Sequence, residues 1–336
     1  MLKGLALTPP VIGRIAIGRV VEKAGRRLPE KDDEFTLTSQ VQNKEGWVPH
    51  PVDAQLRKEP GAKLRSIPVR LLFDDPDLSL RANYTMFDRA TGRPLCVGDG
   101  DSCKRVTISG MQSLPCPSPA VCPLAQDGNC KPYGRLHVRV EAEGNTEAGM
   151  ADMSGDELGS FVFRTTGFNS IRTLSARLRY LSAVSGGLLA GLPLELRLRG
   201  KSTTLSHRTP IYYVDLTLRA GSSLAQVVAL ARQEREQQAA LGLDQAALDE
   251  AARQGLALGE FEESEEEGVG VVEEFYPEPG MEGEHAGAGD VDGSESRRTR
   301  EPSPPISLRG KLHRKQEALG VRGIATGDPG ASHAGA

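Results

Sequence analysis

All five cysteines of this 336-residue chain lie between Cys96 and Cys130, and the stretch from Arg93 to Pro132 also carries six prolines. Proline fixes φ and lacks the amide hydrogen that helices and sheet interiors use. The stretch 93–131 therefore reads as a loop, with too little apolar surface to hold one shape without a cross-link. A disulfide would require an oxidising compartment. The N-terminal segment from Met1 to Pro10 has one basic residue, and prolines stop its apolar run short of a secretory core. No run approaches the ~18 apolar residues of a membrane span. The chain reads as cytoplasmic, without a membrane partner, and its thiols as reduced metal ligands.

Zinc is the metal this implies, because thiolates supply its tetrahedral site well. The gaps between successive cysteines are six, twelve, five and seven residues, looser than a C-x-x-C knuckle. Cys103, Cys116, Cys122 and Cys130 bracket the proline-rich part most closely and are the favoured ligands. Cys96 is the substitute, and His137 a further one. Free thiols, a redox pair and a catalytic zinc with three cysteines and a water stay open beside this reading. No Glu or His stands in a short H-x-E frame here.

Charge is segregated. Residues 260–296 hold 14 acidic and no basic residues, residues 297–336 hold 8 basic and 3 acidic, and residues 1–259 hold 33 basic and 28 acidic. The acidic segment lacks periodic apolar positions and has almost no aromatics, a composition that reads as a disordered tail. The division expected is a core over 1–220, a helical arm over 221–258 and a tail over 259–336.

Period-two alternation marks strands over 14–22, 35–38, 67–73, 78–87, 136–140, 160–164, 192–198 and 210–218. Ile171, Leu174, Leu178 and Leu181 recur at helical spacing, which places an amphipathic helix over 170–184 with Asn169 as its cap. Ser222 or Ser223 caps a helix to about residue 238, and another runs from Asp244 to before Gly255. The fold class is α+β: mostly antiparallel strands, a Cys-rich zinc loop, one amphipathic helix crossing the sheet and a helical C-terminal arm.

Between residues 160 and 210, Arg164, Arg172, Arg177, Arg179, Arg197, Arg199, Lys201 and Arg208 are opposed only by Glu195. Arg172 and Arg179 share a helix face, and Arg197, Arg199 and Lys201 share a strand face. Arg172, Arg177, Arg179, Arg197, Arg199 and Lys201 form the candidate surface for phosphates or an acidic partner. The plainer reading is a solvated face. The acidic tail is able to fold back on such a patch as an internal polyanion. Other motifs are weak. Gly186-Gly187 reads as a helix C-cap rather than a phosphate loop, nothing fixes His207 beside Asp215, and Trp47 reads as packing.

Cys130-Lys131-Pro132-Tyr133-Gly134-Arg135-Leu136, Gly159-Ser160-Phe161-Val162-Phe163-Arg164, Gly167-Phe168-Asn169-Ser170 and Leu192-Pro193-Leu194-Glu195-Leu196 follow one another in an order that resembles the large phage recombination directionality factors that partner serine integrases. The order is closer still to relatives on integrative conjugative elements described as hydrolase or metal-binding proteins. The resemblance spans about residues 1–220. It implies a zinc-containing, non-enzymatic accessory protein of a mobile genetic element that binds a site-specific recombinase or integrase on DNA and biases its direction. The phage proteins carry a Trp near Phe163, and the acidic tail lies outside their pattern. A zinc-dependent hydrolase and a direct DNA- or single-strand-binding protein are the alternatives. No small-molecule substrate and no catalytic residue is identified.

Overall fold

The computed structural model describes residues 10–23, 26–44, 46–57, 59, 61–141, 159–202, 204, 208–258 and 265–276. The chain divides into two units, residues 1–289 and 290–336, and every described residue belongs to the first. The elements are β1 (Val11–Lys23), β2 (Arg26–Asn43), β3 (Gly46–Pro49), α1 (Pro51–Leu56), β4 (Ser66–Leu71), α2 (Pro76–Ser79), β5 (Leu80–Phe87), β6 (Pro94–Gly98), β7 (Ser102–Thr107), β8 (Gly110–Pro115), β9 (Cys130–Val140), β10 (Ser160–Thr165), α3 (Phe168–Ser185), β11 (Leu194–Lys201), β12 (Ile211–Leu218), α4 (Leu224–Ala240), α5 (Gln245–Leu258) and α6 (Glu265–Phe275).

The twelve strands make one mostly antiparallel sheet that forks at β9. One edge of β9 pairs with β10. The other pairs with β5 through Cys130 to Leu136 and with β4 through Val138 to Val140. The path β3-β2-β1-β10-β9-β5-β6-β7-β8 leads along one branch, and β4, β11 and β12 form the other. Only β1 and β10 run parallel among the described pairs. The sheet curls so that β2 faces the β4 branch, with the Phe35 amide donating to the Leu64 carbonyl at 2.7 Å.

Alternation decides which side chains meet inside. Ile15, Phe35, Leu37, Phe161, Phe163, Leu136, Val138, Ile67, Leu194 and Val214 are buried together. Leu174 and Leu178 of α3, and Val227 and Ala231 of α4, pack on this core. Ser223 closes a capping box with Gln226 at the start of α4. Gly186 ends α3 in the left-handed conformation at φ 73°, as a C-cap glycine should.

Several expectations need correction. Gly167, without a side-chain bond, caps α3, while the Asn169 side chain accepts from Lys201 Nζ at 2.6 Å. α5 continues through Gly255 to Leu258. The stretch 93–131 is not one loop: β6, β7 and β8 form a meander within it. The reason is in the proline positions. None stands between Pro94 and Pro115, so the intervening residues keep their amides for the ladder. The reading of a structureless tail fails for residues 265–276, which form α6 and end on the buried Tyr276. The acidic loop over 143–157 and the chain from 277 onward lie outside the described residues. No described helix is long and apolar enough to cross a membrane.

Candidate functional site: a cysteine ladder and two arginine faces

The cysteines line up by strand register. Met86 of β5 stands opposite Cys96 on one side and Cys130 on the other. Cys96 is opposite Arg105, and Gly98 opposite Cys103. Directly opposed residues share a face, so Cys130, Met86, Cys96, Cys103 and Arg105 project from one side of the sheet. Cys116 follows β8 and comes over the same place: a Cβ added to Gly98 would stand 2.8 Å from Cys103 Cβ and 3.0 Å from Cys116 Sγ. A tight turn links Cys116 to Cys122, built on Ser118 at φ 67°, with the Cys122 amide donating to the Ser118 carbonyl at 3.0 Å.

All five thiols are free. Burial and the neighbouring thiols push Cys103 upward and Cys130 to about 12. Arg105 is the cation among them. Its Nη2 donates to Cys103 Sγ at 3.8 Å, and its Nε is buried with no partner among the described residues. Among those residues, no three His, Cys, Asp or Glu side chains converge closely enough to hold a metal ion. His137 is corrected as a substitute ligand. It sits at an odd position of β9, on the opposite face from Cys130, and its register partner is Val162.

The predicted basic surface is largely internally compensated. Arg177 Nε donates to Asp215 at 2.9 Å and Arg199 Nε to the same carboxylate at 3.3 Å. Arg197 pairs with Glu195, its neighbour two residues back on the same strand face. Asp215 is 4% exposed. It lies past the window in which the basic residues cluster, which is why counting charge by sequence distance missed it. Arg172 and Arg179 remain exposed on α3, with Arg179 3.7 Å from the exposed Asp77. A pair that open to water is worth little.

A second arginine face went unread in the sequence. Arg164 is opposite Arg135, and Arg135 is opposite Arg81. Arg14 is opposite Val162, two residues before Arg164. The four arginines thus cross β1, β10, β9 and β5 on the side of the sheet away from the main core, and each is largely buried. α6 lies over this face. Arg14 Nη2 donates to Glu274 at 2.6 Å and stacks 4.1 Å from the Trp47 ring centre. Arg164 Nη2 donates to Glu267 at 3.1 Å. Val271, Val272 and Tyr276 pack with Phe87 and Tyr133, and the Tyr276 hydroxyl donates to the Thr85 carbonyl at 3.0 Å. His137 is buried on the same side, and burial together with Arg81, Arg135 and Arg164 holds it neutral, its pKa lowered to about 3. The signal was a charged residue at the non-core position of four separate strands. Alone, each reads as a solvated strand face.

The sheet thus carries a thiol ladder on one face and a row of arginines on the other. The family comparison is more specific. The model of the Gp3-like family, described as recombination directionality factor-like, matches residues 12–219, and the chain belongs to that family. The match runs from β1 to just beyond β12, so it takes in the whole sheet and α3 and leaves out α4, α5 and α6. Comparison with curated proteins and with solved structures returns no match.

Proposed function

We propose that the protein is a non-enzymatic accessory factor of DNA recombination on a mobile genetic element, which binds a site-specific recombinase on its DNA and biases it between integration and excision. The observation that carries this reading is that the family match spans the whole forked sheet rather than one short motif. Arg172 and Arg179, exposed on α3, are the contact residues proposed from the basic surface; Arg177, Arg197, Arg199 and Lys201 take part less, since their partners are, in turn, Asp215, Glu195, Asp215 and Asn169.

A structural zinc on Cys103, Cys116, Cys122 and Cys130, with Cys96 as substitute, is the second part of the proposal. The donor set suits it. Cys96, Cys103 and Cys130 share one face, Cys116 comes over Gly98, and Arg105, with its buried and unpartnered Nε, offers the charge that a cluster of thiolates calls for. Bound zinc would cross-link the β6–β8 meander to the start of β9 and would deprotonate its thiols outright. The cysteines' part is to hold that cross-link and orient the turn at Ser118.

The test is recovery of the element's own integrase on the purified protein, with the ratio of excision to integration products read in the same reactions. Arg172→Glu with Arg179→Glu should abolish recovery and leave the melting temperature nearly unchanged, because exposed arginines contribute little to folding. Equal recovery by both forms would remove the α3 surface from the proposal. An unchanged product ratio on adding wild-type protein would remove the directional role.

A further inference from the structure

α6 seats an acidic helix on a row of arginines that the sheet has turned away from its own core. Glu267 and Glu274 meet Arg164 and Arg14. Between them, Val271 and Val272 enter a wall made by Phe87 and Tyr133, and Tyr276 reaches the Thr85 carbonyl. The anchors at 267, 271 and 274 follow the three- and four-residue steps by which an amphipathic helix lies in a groove. The floor is shaped for close approach. A Cβ on Gly268 would fall 2.0 Å from the Gly92 carbonyl oxygen, so helix and sheet meet backbone to backbone there.

Two further observations bear on this helix. Like α4 and α5, it lies outside the residues that the family model matches. Burial also holds the Glu274 carboxyl above its ordinary range despite the pull of Arg14, so the docked helix keeps a carboxylate where water would solvate it better.

We propose that the Arg14–Arg164–Arg135 face, with its Phe87–Tyr133 wall, is a docking groove for an acidic amphipathic helix of a partner protein, and that α6 is the chain's own occupant, which such a helix must displace. Charge complementarity selects the acid, and the aromatic wall selects a helix with apolar anchors. Duplex DNA fits this seat less well, because its phosphates need cations that project from the surface, and these lie at the base of a groove. The proposal concerns a different surface from Arg172 and Arg179 and stands whether or not a recombinase supplies the helix.

Gly268→Ala in the full chain tests it. Alanine raises helix propensity and removes no charge, yet its Cβ collides with the Gly92 backbone, so it empties the groove without weakening the helix. Val271→Asp empties it by a different route. The probes are a fluorescein-labelled peptide of residues 265–276 and a designed peptide with the same Glu and apolar spacing but otherwise different residues. Both variants should bind both peptides at least tenfold more tightly than wild type does, and binding should weaken as salt rises. A charge-reversed peptide with Lys for Glu should not bind. Binding of the native peptide alone would mean a closed structural fit and would overturn the proposal. So would no gain over wild type in either variant, or capture of a 20-base-pair duplex in place of the peptides.

Discussion

His137 couples the stability of the sheet to pH. It is 5% exposed, and its Nδ1 has no hydrogen-bond partner among the described residues. Burial, then Arg81, Arg135 and Arg164, lower its pKa from 6.5 to about 3. The unfolded chain therefore binds a proton that the folded chain refuses. Stability from this group is complete above pH 6.5 and is lost as pH falls through the window down to about 3. The slope is about 1.4 kcal/mol per pH unit within it. His137→Leu keeps the volume and has nothing to protonate. Urea midpoints at pH 7 and pH 5 should fall together less in His137→Leu than in wild type, and an equal fall in both would show that carboxylates alone set the acid sensitivity. The same residue marks where the sequence stops being legible. Its place on a strand was plain from alternation, but which of the two faces would be covered was not. A strand pattern says that His137 and Val138 point apart, and only tertiary packing says that both are buried.

At the scale of elements, most of the long strands, α3 and a serine cap at 222 or 223 were readable, because each rests on local periodicity or on a cap; that the cap is Ser223, closed into a box by Gln226, is the structure's. The meander β6–β8 was not, since proline counting over the whole stretch hid the proline-free interval that forms it. The cysteines in and beside it stand out in the sequence as a cluster, but their order in space comes from register. Cys96, the residue set aside as a substitute, is opposite Arg105 and lies on the shared face beside Cys103. Gly98 is the hinge of this arrangement. Its own backbone needs no glycine-only φ, so the constraint is space between Cys103 and Cys116. Gly98→Ala should wedge β6 from β7 and lower bound metal well below the about one zinc per chain expected of a four-thiolate site purified without chelator. The far core around Leu174 and Leu178 should stay folded, as read by circular dichroism. Full zinc content in the variant would place the ligands elsewhere, and no zinc in wild type would remove the metal from the proposal.

For the molecule as a whole, the question is how far the acidic segment belongs to the fold. An isolated helix of eleven residues, the length of α6, is marginal in water, so α6 owes its structure to the sheet on which it lies. The sheet in turn exposes Phe87, Tyr133 and a buried arginine row if the helix leaves. Two truncations separate this from the reading of a dispensable tail. A chain ending at Tyr276 keeps every described contact of α6, while a chain ending at Leu258 loses Val271, Val272 and Tyr276 together with the partners of Arg14 and Arg164. Ending at Tyr276 removes no described contact, and the change in melting temperature should stay within about a degree, the shift that a few tenths of a kcal/mol produces. Ending at Leu258 should lower it by several degrees, as removal of three buried apolar side chains costs roughly 1.5–3 kcal/mol each before the entropy of ordering the helix is returned. That returned entropy makes the net loss smaller than the sum, which is what a displaceable occupant requires. The shorter chain should also bind dyes specific for exposed apolar surface, with the signal suppressed by adding the 265–276 peptide. Identical melting of the two truncations, with no dye binding, would show that α6 contributes nothing to the fold.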